Sequence, residues 1–313
     1  MVASGVFNSN LPQTASHEGS GTVVAVGSSV SSFTIGDRVM CGIPLHPCGE
    51  CDDCTSPTES RRQYCAQAGG IGVTTHGCAA DYVIADERFA TRLPDSVSFL
   101  SAAPLACAGR TVYRAVLQTE LEPGRWVAIL GAGGGLGHLG IQFARAKGLK
   151  VIAIDARDEG LALSRDYGAD VVLDARRDKA EVVEAVRSAT EGKGADGAIV
   201  LADHAEALAA AVTRMHSTVV QVAQPETLSV PFAELIFRDI RFKGTLVCSP
   251  RESDDMVQCV AEHDVGVRTN PFHGLGEIEE LLRTVKSGKL RGKAVIIVDP
   301  EQIEAEKGIG AKF

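Results

Sequence analysis

Two stretches of this chain carry residues whose types and spacing could do chemistry or hold a group that does it. The first is Cys48-x2-Cys51-x2-Cys54-x10-Cys65. Four thiols this close in sequence can converge on one tetrahedral ion and have little slack for pairing into disulfides. Zinc fits best, because thiolates at about 2.3 Å are its preferred structural ligands. A set closed by four thiolates leaves no position for a substrate. This zinc is therefore expected to be structural, with the chemistry elsewhere. The alternatives are a redox-active CxxC or chance clustering.

The second stretch is Gly131-Ala-Gly-Gly-Gly-Leu-Gly-His-Leu-Gly140, between an apolar run, Trp126–Leu130, and a helical pattern, Ile141–Lys147. Within it Gly135-x-Gly137-x-x-Gly140 fits a dinucleotide-binding fingerprint, and the next apolar run ends at Asp155, twenty residues after Gly135. Glycines let the backbone approach a pyrophosphate, a helix N-terminus offers N–H groups, and a carboxylate can grip a ribose diol. Gly131, Gly133, Gly135, Leu136, Gly137, Gly140 and Asp155 are the expected cofactor contacts. A carboxylate at Asp155 would repel the 2′-phosphate of NADP and bond the free hydroxyl of NAD. NAD is thus favoured over NADP, with Arg157 able to moderate the preference.

These residues need elements to position them. Residues 1 to about 100 alternate short β-like runs, such as Gly21–Val26 and Ala80–Ile84, with turn signals, the texture of a small all-β unit. From about 105 to 263, apolar runs at Trp126–Leu130, Val151–Ile154, Val171–Leu173, Ala198–Leu201, Thr218–Ala223 and Phe242–Cys248 alternate with helical patterns. Unalternating strands joined by helices predict a parallel sheet covered on both faces. The tail returns to a helix, Ile278–Ser287, and a lone strand, Ala294–Val298, which could rejoin the first domain.

The length of 313 residues suits two domains, and 45% apolar content with 33 glycines suits a globular α/β protein. A formal charge of −9 argues against nucleic acid or an anionic membrane as partner. No run of about 18 apolar residues could span a bilayer, and Met1–Pro12 lacks the features of a signal peptide. Nine cysteines, four of them clustered, suit a reducing compartment. The expectation is a cytoplasmic protein.

Taken with His17-Glu18-Gly-Ser-Gly-Thr-Val, Gly36-Asp-Arg-Val39, Cys107-Ala-Gly-Arg-Thr-Val-Tyr113 and Gly292-Lys293, these motifs give a resemblance that covers nearly the whole chain. It resembles the zinc-dependent alcohol dehydrogenases of the medium-chain dehydrogenase/reductase superfamily, nearest their microbial branch. That resemblance implies an α/β fold, a GroES-like catalytic domain interrupted by a Rossmann domain, with the active site in the cleft between them. The expected division is 1–106, 107–263 and 264–313. It implies a second, catalytic zinc held by His17 and Cys107 with Glu18 beside it, Thr111 against the nicotinamide, and Lys293 at the pyrophosphate. Zinc would act as a Lewis acid on the oxygen of an alcohol, aldehyde or ketone while a hydride passes to or from NAD. The resemblance also implies a homo-oligomer, dimer or tetramer.

The chain departs from the family in three places. The family's first catalytic ligand is a cysteine in a Cys-His-Ser/Thr-Asp type segment upstream of the His-Glu motif, and residues 1–16 contain no cysteine. The chain therefore reads as a member shortened at its start, with Cys41, His46 and Cys78 as conceivable substitutes and His46 as a speculative proton carrier. Ser16 stands where glycine is expected, and x10 in the cysteine lobe replaces x7. The substrate could be a simple alcohol or an intermediate of a specialised pathway. The competing readings are a non-catalytic dinucleotide-binding paralogue and a zinc-independent reductase like the quinone or enoyl reductases. The intact lobe and Cys107 weigh against the latter.

Overall fold

The computed structural model describes residues 5, 7, 9–58 and 61–313. The chain forms two compact units, one of residues 1–110 and 247–313, the other of Thr111–Leu246.

The second unit is built on six strands: β1 (Trp126–Leu130), β2 (Lys150–Asp155), β3 (Val171–Asp174), β4 (Ala195–Val200), β5 (Thr213–Gln221) and β6 (Arg241–Gly244). All pair in parallel, in the spatial order β3-β2-β1-β4-β5-β6. This is the doubly wound order of a Rossmann sheet. Parallel strands covered on both faces must be apolar throughout; Val151, Ile152, Ala153 and Ile154 are all buried. Helices α1 (Gly137–Ala146), α2 (Asp158–Asp166), α3 (Lys179–Ala189), α4 (Glu206–Val212) and α5 (Phe232–Ile236) alternate with the strands. The strand expected over Phe242–Cys248 ends at Gly244, and Cys248 instead donates its thiol to the Arg110 carbonyl at 3.0 Å.

The first unit carries short strands. Ser20–Thr22, Arg38–Met40 and Thr91–Arg92 make an antiparallel three-stranded sheet. Lys293–Ile297 pairs in parallel with Thr269–His273. Ala80–Ile84 is not a strand: its alternation finds no partner, and Tyr82 and Ile84 are exposed. The N–H groups just before it, of Cys78 and Ala79, go to the carbonyls of Ser16 and Ala15. The sequence places helix Pro250–His263 with the dinucleotide domain, whereas by contacts it lies with the first unit. Ser253 there bonds Thr91 at 2.8 Å.

Candidate metal centres and dinucleotide site

Pro44–Leu45 pairs antiparallel with Gly69–Gly70 and closes the base of the cysteine loop. The four thiols of Cys48, Cys51, Cys54 and Cys65 lie within 4.8 Å of one another. Cys48 Sγ is 3.9 Å from Cys54 Sγ and 3.7 Å from Cys65 Sγ. A tetrahedron with zinc–sulfur bonds of about 2.3 Å has edges of about 3.8 Å, so the donors fit that ion. The backbone N–H of Cys48 donates to Cys65 Sγ and that of Cys51 to Cys48 Sγ, each at 3.4 Å. The N–H of Cys48 leads in drawing the Cys65 thiol down to about 6, while burial pushes Cys54 up to about 12. The three additional residues of the lobe fall in a stretch of which residues 59 and 60 lie outside the described ones. Beyond them a helical turn, Arg62–Tyr64, returns the chain to Cys65.

The lobe is clamped at its entry. Asp86 accepts from the His46 N–H at 2.9 Å and from Arg88 Nη2 at 2.6 Å, and Arg88 Nη1 donates to the Pro47 carbonyl at 2.9 Å. Burial pushes the Asp86 carboxyl up, but the Arg88 guanidinium and the N–H groups of Arg88 and His46 outweigh it. The carboxyl is held below its ordinary value.

A second group forms within the first unit. One donor atom each from His17, Glu18 and Cys107 lies within 4.8 Å of the other two. Cys107 is carried on a widened, π-helical turn, Leu105–Gly109, directly after Pro104. Such turns are enriched at functional sites. Glu18 is fixed from two sides, by the Ala108 N–H at 3.1 Å and by Lys293 Nζ at 2.9 Å. Burial lowers the His17 pKa; Glu18 opposes this and Lys293 adds to it, leaving the neutral imidazole that can ligate a metal. An imidazole, a carboxylate and a thiol suit zinc with one position open. The residues considered as substitutes lie elsewhere. His46 is exposed against Asp86, and Cys41 and Cys78 face each other beside Gly19. Ser16, just before His17, has φ +74°, the left-handed region that favours glycine. Its hydroxyl donates to the Glu18 carbonyl at 3.0 Å.

In the second unit β1 runs into the glycine-rich turn and α1 begins at Gly137. Asp155 is buried at the end of β2 and accepts the Gly133 N–H at 2.9 Å and the Arg157 N–H at 3.0 Å. Arg157 Nε lies 3.4 Å from the same carboxylate. A β-carbon on Gly133 would overlap the backbone of Gly160, and one on Gly140 would lie 2.7 Å from Val112 Cγ2. Thr111 is half-buried near the start of helix Arg110–Gln118.

Two residues were missed from sequence. Gly160 packs beneath both Gly133 and Asp155. His138 is buried in α1, with Nδ1 3.0 Å from the Gly134 carbonyl and its ring 5.2 Å from that of Tyr167. Gly160 carries one signal: a glycine inside an otherwise good helical stretch needs a packing reason.

The alcohol dehydrogenase GroES-like domain model matches residues 1–95, and the zinc-binding dehydrogenase model matches 135–262. An alcohol dehydrogenase of Schizosaccharomyces pombe is 35% identical over 292 residues, covering 91% of this chain and 81% of the relative. One from Geobacillus stearothermophilus is 33% identical, covering 92% and 84%. The crystal structure of the alcohol dehydrogenase from Aeropyrum pernix superposes with a TM-score of 0.83 at 30% identity, covering 93% of this chain and 85% of that one. Among the described residues no helix is long and apolar enough to cross a membrane.

Proposed function

Because this chain belongs to the zinc-binding alcohol dehydrogenase family, we propose that it transfers a hydride between an alcohol, or the corresponding aldehyde or ketone, and NAD(H). The observation that carries this is the convergence of His17, Glu18 and Cys107 within 4.8 Å, in a chain that also has a four-thiol group. Zinc bound there would supply Lewis acidity to the substrate oxygen. His17 offers a neutral nitrogen and Cys107 a thiolate. Glu18 is oriented by the Ala108 N–H and by Lys293. With NAD bound, Asp155 would offer its carboxylate to a ribose hydroxyl, the glycine-rich turn would admit the pyrophosphate, and Thr111 would be the residue to pack on the nicotinamide. NAD is preferred to NADP because Asp155 is a buried carboxylate. The second zinc, in the Cys48–Cys65 lobe, is structural. The working form is a cytoplasmic dimer or tetramer acting on a small alcohol or carbonyl compound.

One observation favours a second reading, that of a dinucleotide-binding protein without turnover. Glu18 is already engaged by Lys293 and by the Ala108 N–H, which competes with its use as a metal ligand. Zinc content per chain and alcohol-dependent NAD reduction separate the two. The first reading expects two zincs, one of them exchangeable, and turnover that Cys107→Ala abolishes. One zinc, retained NADH binding and no turnover across a panel of alcohols would establish the second.

A further inference from the structure

We propose that Cys41 and Cys78 form a reversible disulfide, a redox-responsive site in the first unit that is distinct from both metal-ligating groups. Cys41 follows strand Arg38–Met40 and donates its N–H to the Gly19 carbonyl at 2.8 Å. Cys78 donates its N–H to the Ser16 carbonyl at 2.8 Å. Both cysteines are thus strapped to the same short stretch, Ser16–Gly19. Gly19 has no side chain to separate them. A β-carbon placed there would lie 2.6 Å from Cys78 Sγ and 3.8 Å from Cys41 Sγ, so the two sulfurs face one small space. A disulfide needs Cα atoms about 4.4–6.8 Å apart and sulfurs free to approach; two sulfurs that line one space with only a glycine beside them meet the second condition.

The surroundings favour the chemistry. Cys41 is buried with Leu45 and Ile71, while Cys78 is half-buried and gives the pair its access. Arg110 is fully buried, and its Nη1 lies 2.5 Å from the position a β-carbon on Gly42 would take, one residue from Cys41. Its other nitrogens bond only neutral groups: Ser253 Oγ at 2.6 Å, the Phe89 carbonyl at 2.6 Å and Thr91 Oγ1 at 2.7 Å. Among the described residues Nη1 has no hydrogen-bond partner. A buried guanidinium near Cys41 favours its thiolate, and the thiolate is the reactive form. With hydrogen peroxide as oxidant, the Cys41 thiolate attacks one oxygen, the O–O bond breaks, and a water leaves after protonation. The Cys78 thiol then gives up its proton and displaces a second water from the sulfenic sulfur of Cys41. Two thiols lose two electrons and two protons, and peroxide becomes two waters. A dithiol reductant reverses the bond.

The test treats the full chain, as purified with its metal, with equimolar hydrogen peroxide, blocks remaining thiols with N-ethylmaleimide and maps peptides without reduction. The expected result is a peptide pair linked through Cys41 and Cys78, removed by dithiothreitol. Cys41→Ala and Cys78→Ala should each abolish it while retaining the zinc of the lobe. Wild-type protein with both thiols alkylated, or with Cys41 or Cys78 stopped at sulfinic acid, would overturn the proposal. So would oxidation confined to Cys48–Cys65. The wild-type map decides even where a variant folds poorly.

Discussion

Lys293 reaches back across 275 positions of sequence to hold both oxygens of Glu18, at 2.9 and 2.8 Å. Both side chains are about four-fifths withdrawn from water, at 20% and 18% exposure. Removing the cation leaves a carboxylate with only the Ala108 N–H. Lys293→Met should therefore destabilise the protein by about 1–3 kcal/mol. In a Glu18→Gln background the same change should cost much less, since the charge that needs it has gone. Denaturant midpoints for the two single variants and the double variant measure the coupling. Additive effects would show the pair to be energetically silent.

Ser16 holds a backbone conformation that L-residues with a β-carbon disfavour by about 1–2 kcal/mol, and it offsets this with its hydroxyl bonds to Glu18. Ser16→Ala keeps the strain and loses the bonds, so it should lower stability by about 1 kcal/mol. Ser16→Gly loses the bonds and the strain together. It should be more stable than the alanine variant by about 1 kcal/mol. Thermal melts of the three proteins check the order, and an alanine variant equal to glycine would contradict it.

The four-thiol lobe should hold its metal with the protein's stability linked to it. Removing zinc with a strong chelator should lower the melting temperature, because a ligand present at about 1,000 times its Kd adds about 4 kcal/mol. Cys54→Ser should give the same loss without chelator. Zinc analysis beside calorimetry checks both, and an unchanged melting temperature after complete metal loss would oppose the structural role.

Asp86 gives the clamp on the lobe a pH dependence. Burial opposes its charge, but Arg88 and two N–H groups prevail, so the folded carboxyl titrates below the unfolded one. The sign follows from linkage: the contribution is present above about pH 4, the unfolded value, and is lost as pH falls through the folded one. Wild type should exceed Asp86→Asn in stability near neutrality, and the gap should shrink on acidification. Urea titrations at several pH values test this; a gap that widens in acid would reverse the sign.

The sheet of the second unit was legible because its strands are apolar on both faces, as Val151–Ile154 shows, and only a doubly covered sheet asks for that. The cysteine lobe was legible because its four ligands lie in one short segment. The strand Thr269–His273 was not, since Asn270, Pro271 and His273 show no period and it pairs with the distant Lys293–Ile297. Ala80–Ile84 misled for the opposite reason: it has the period and lacks a neighbour. The convergence of His17, Glu18 and Cys107 depends on long-range packing that spacing does not encode, so only the resemblance pointed to it. The grip of Lys293 on Glu18 had no sequence signal at all.

Gly160 contributes to the dinucleotide turn through atoms it does not have. A β-carbon there would lie 2.5 Å from Asp155 Cγ, and one on the facing Gly133 would overlap the Gly160 backbone. Gly133 meets main chain, which cannot be trimmed, and Gly160 meets the Asp155 carboxylate itself, so neither position can be rescued by a change at the other. The pair is a one-way constraint on descent: a lineage that fills either position loses the seat of the Asp155 carboxylate, and only exact reversion restores it.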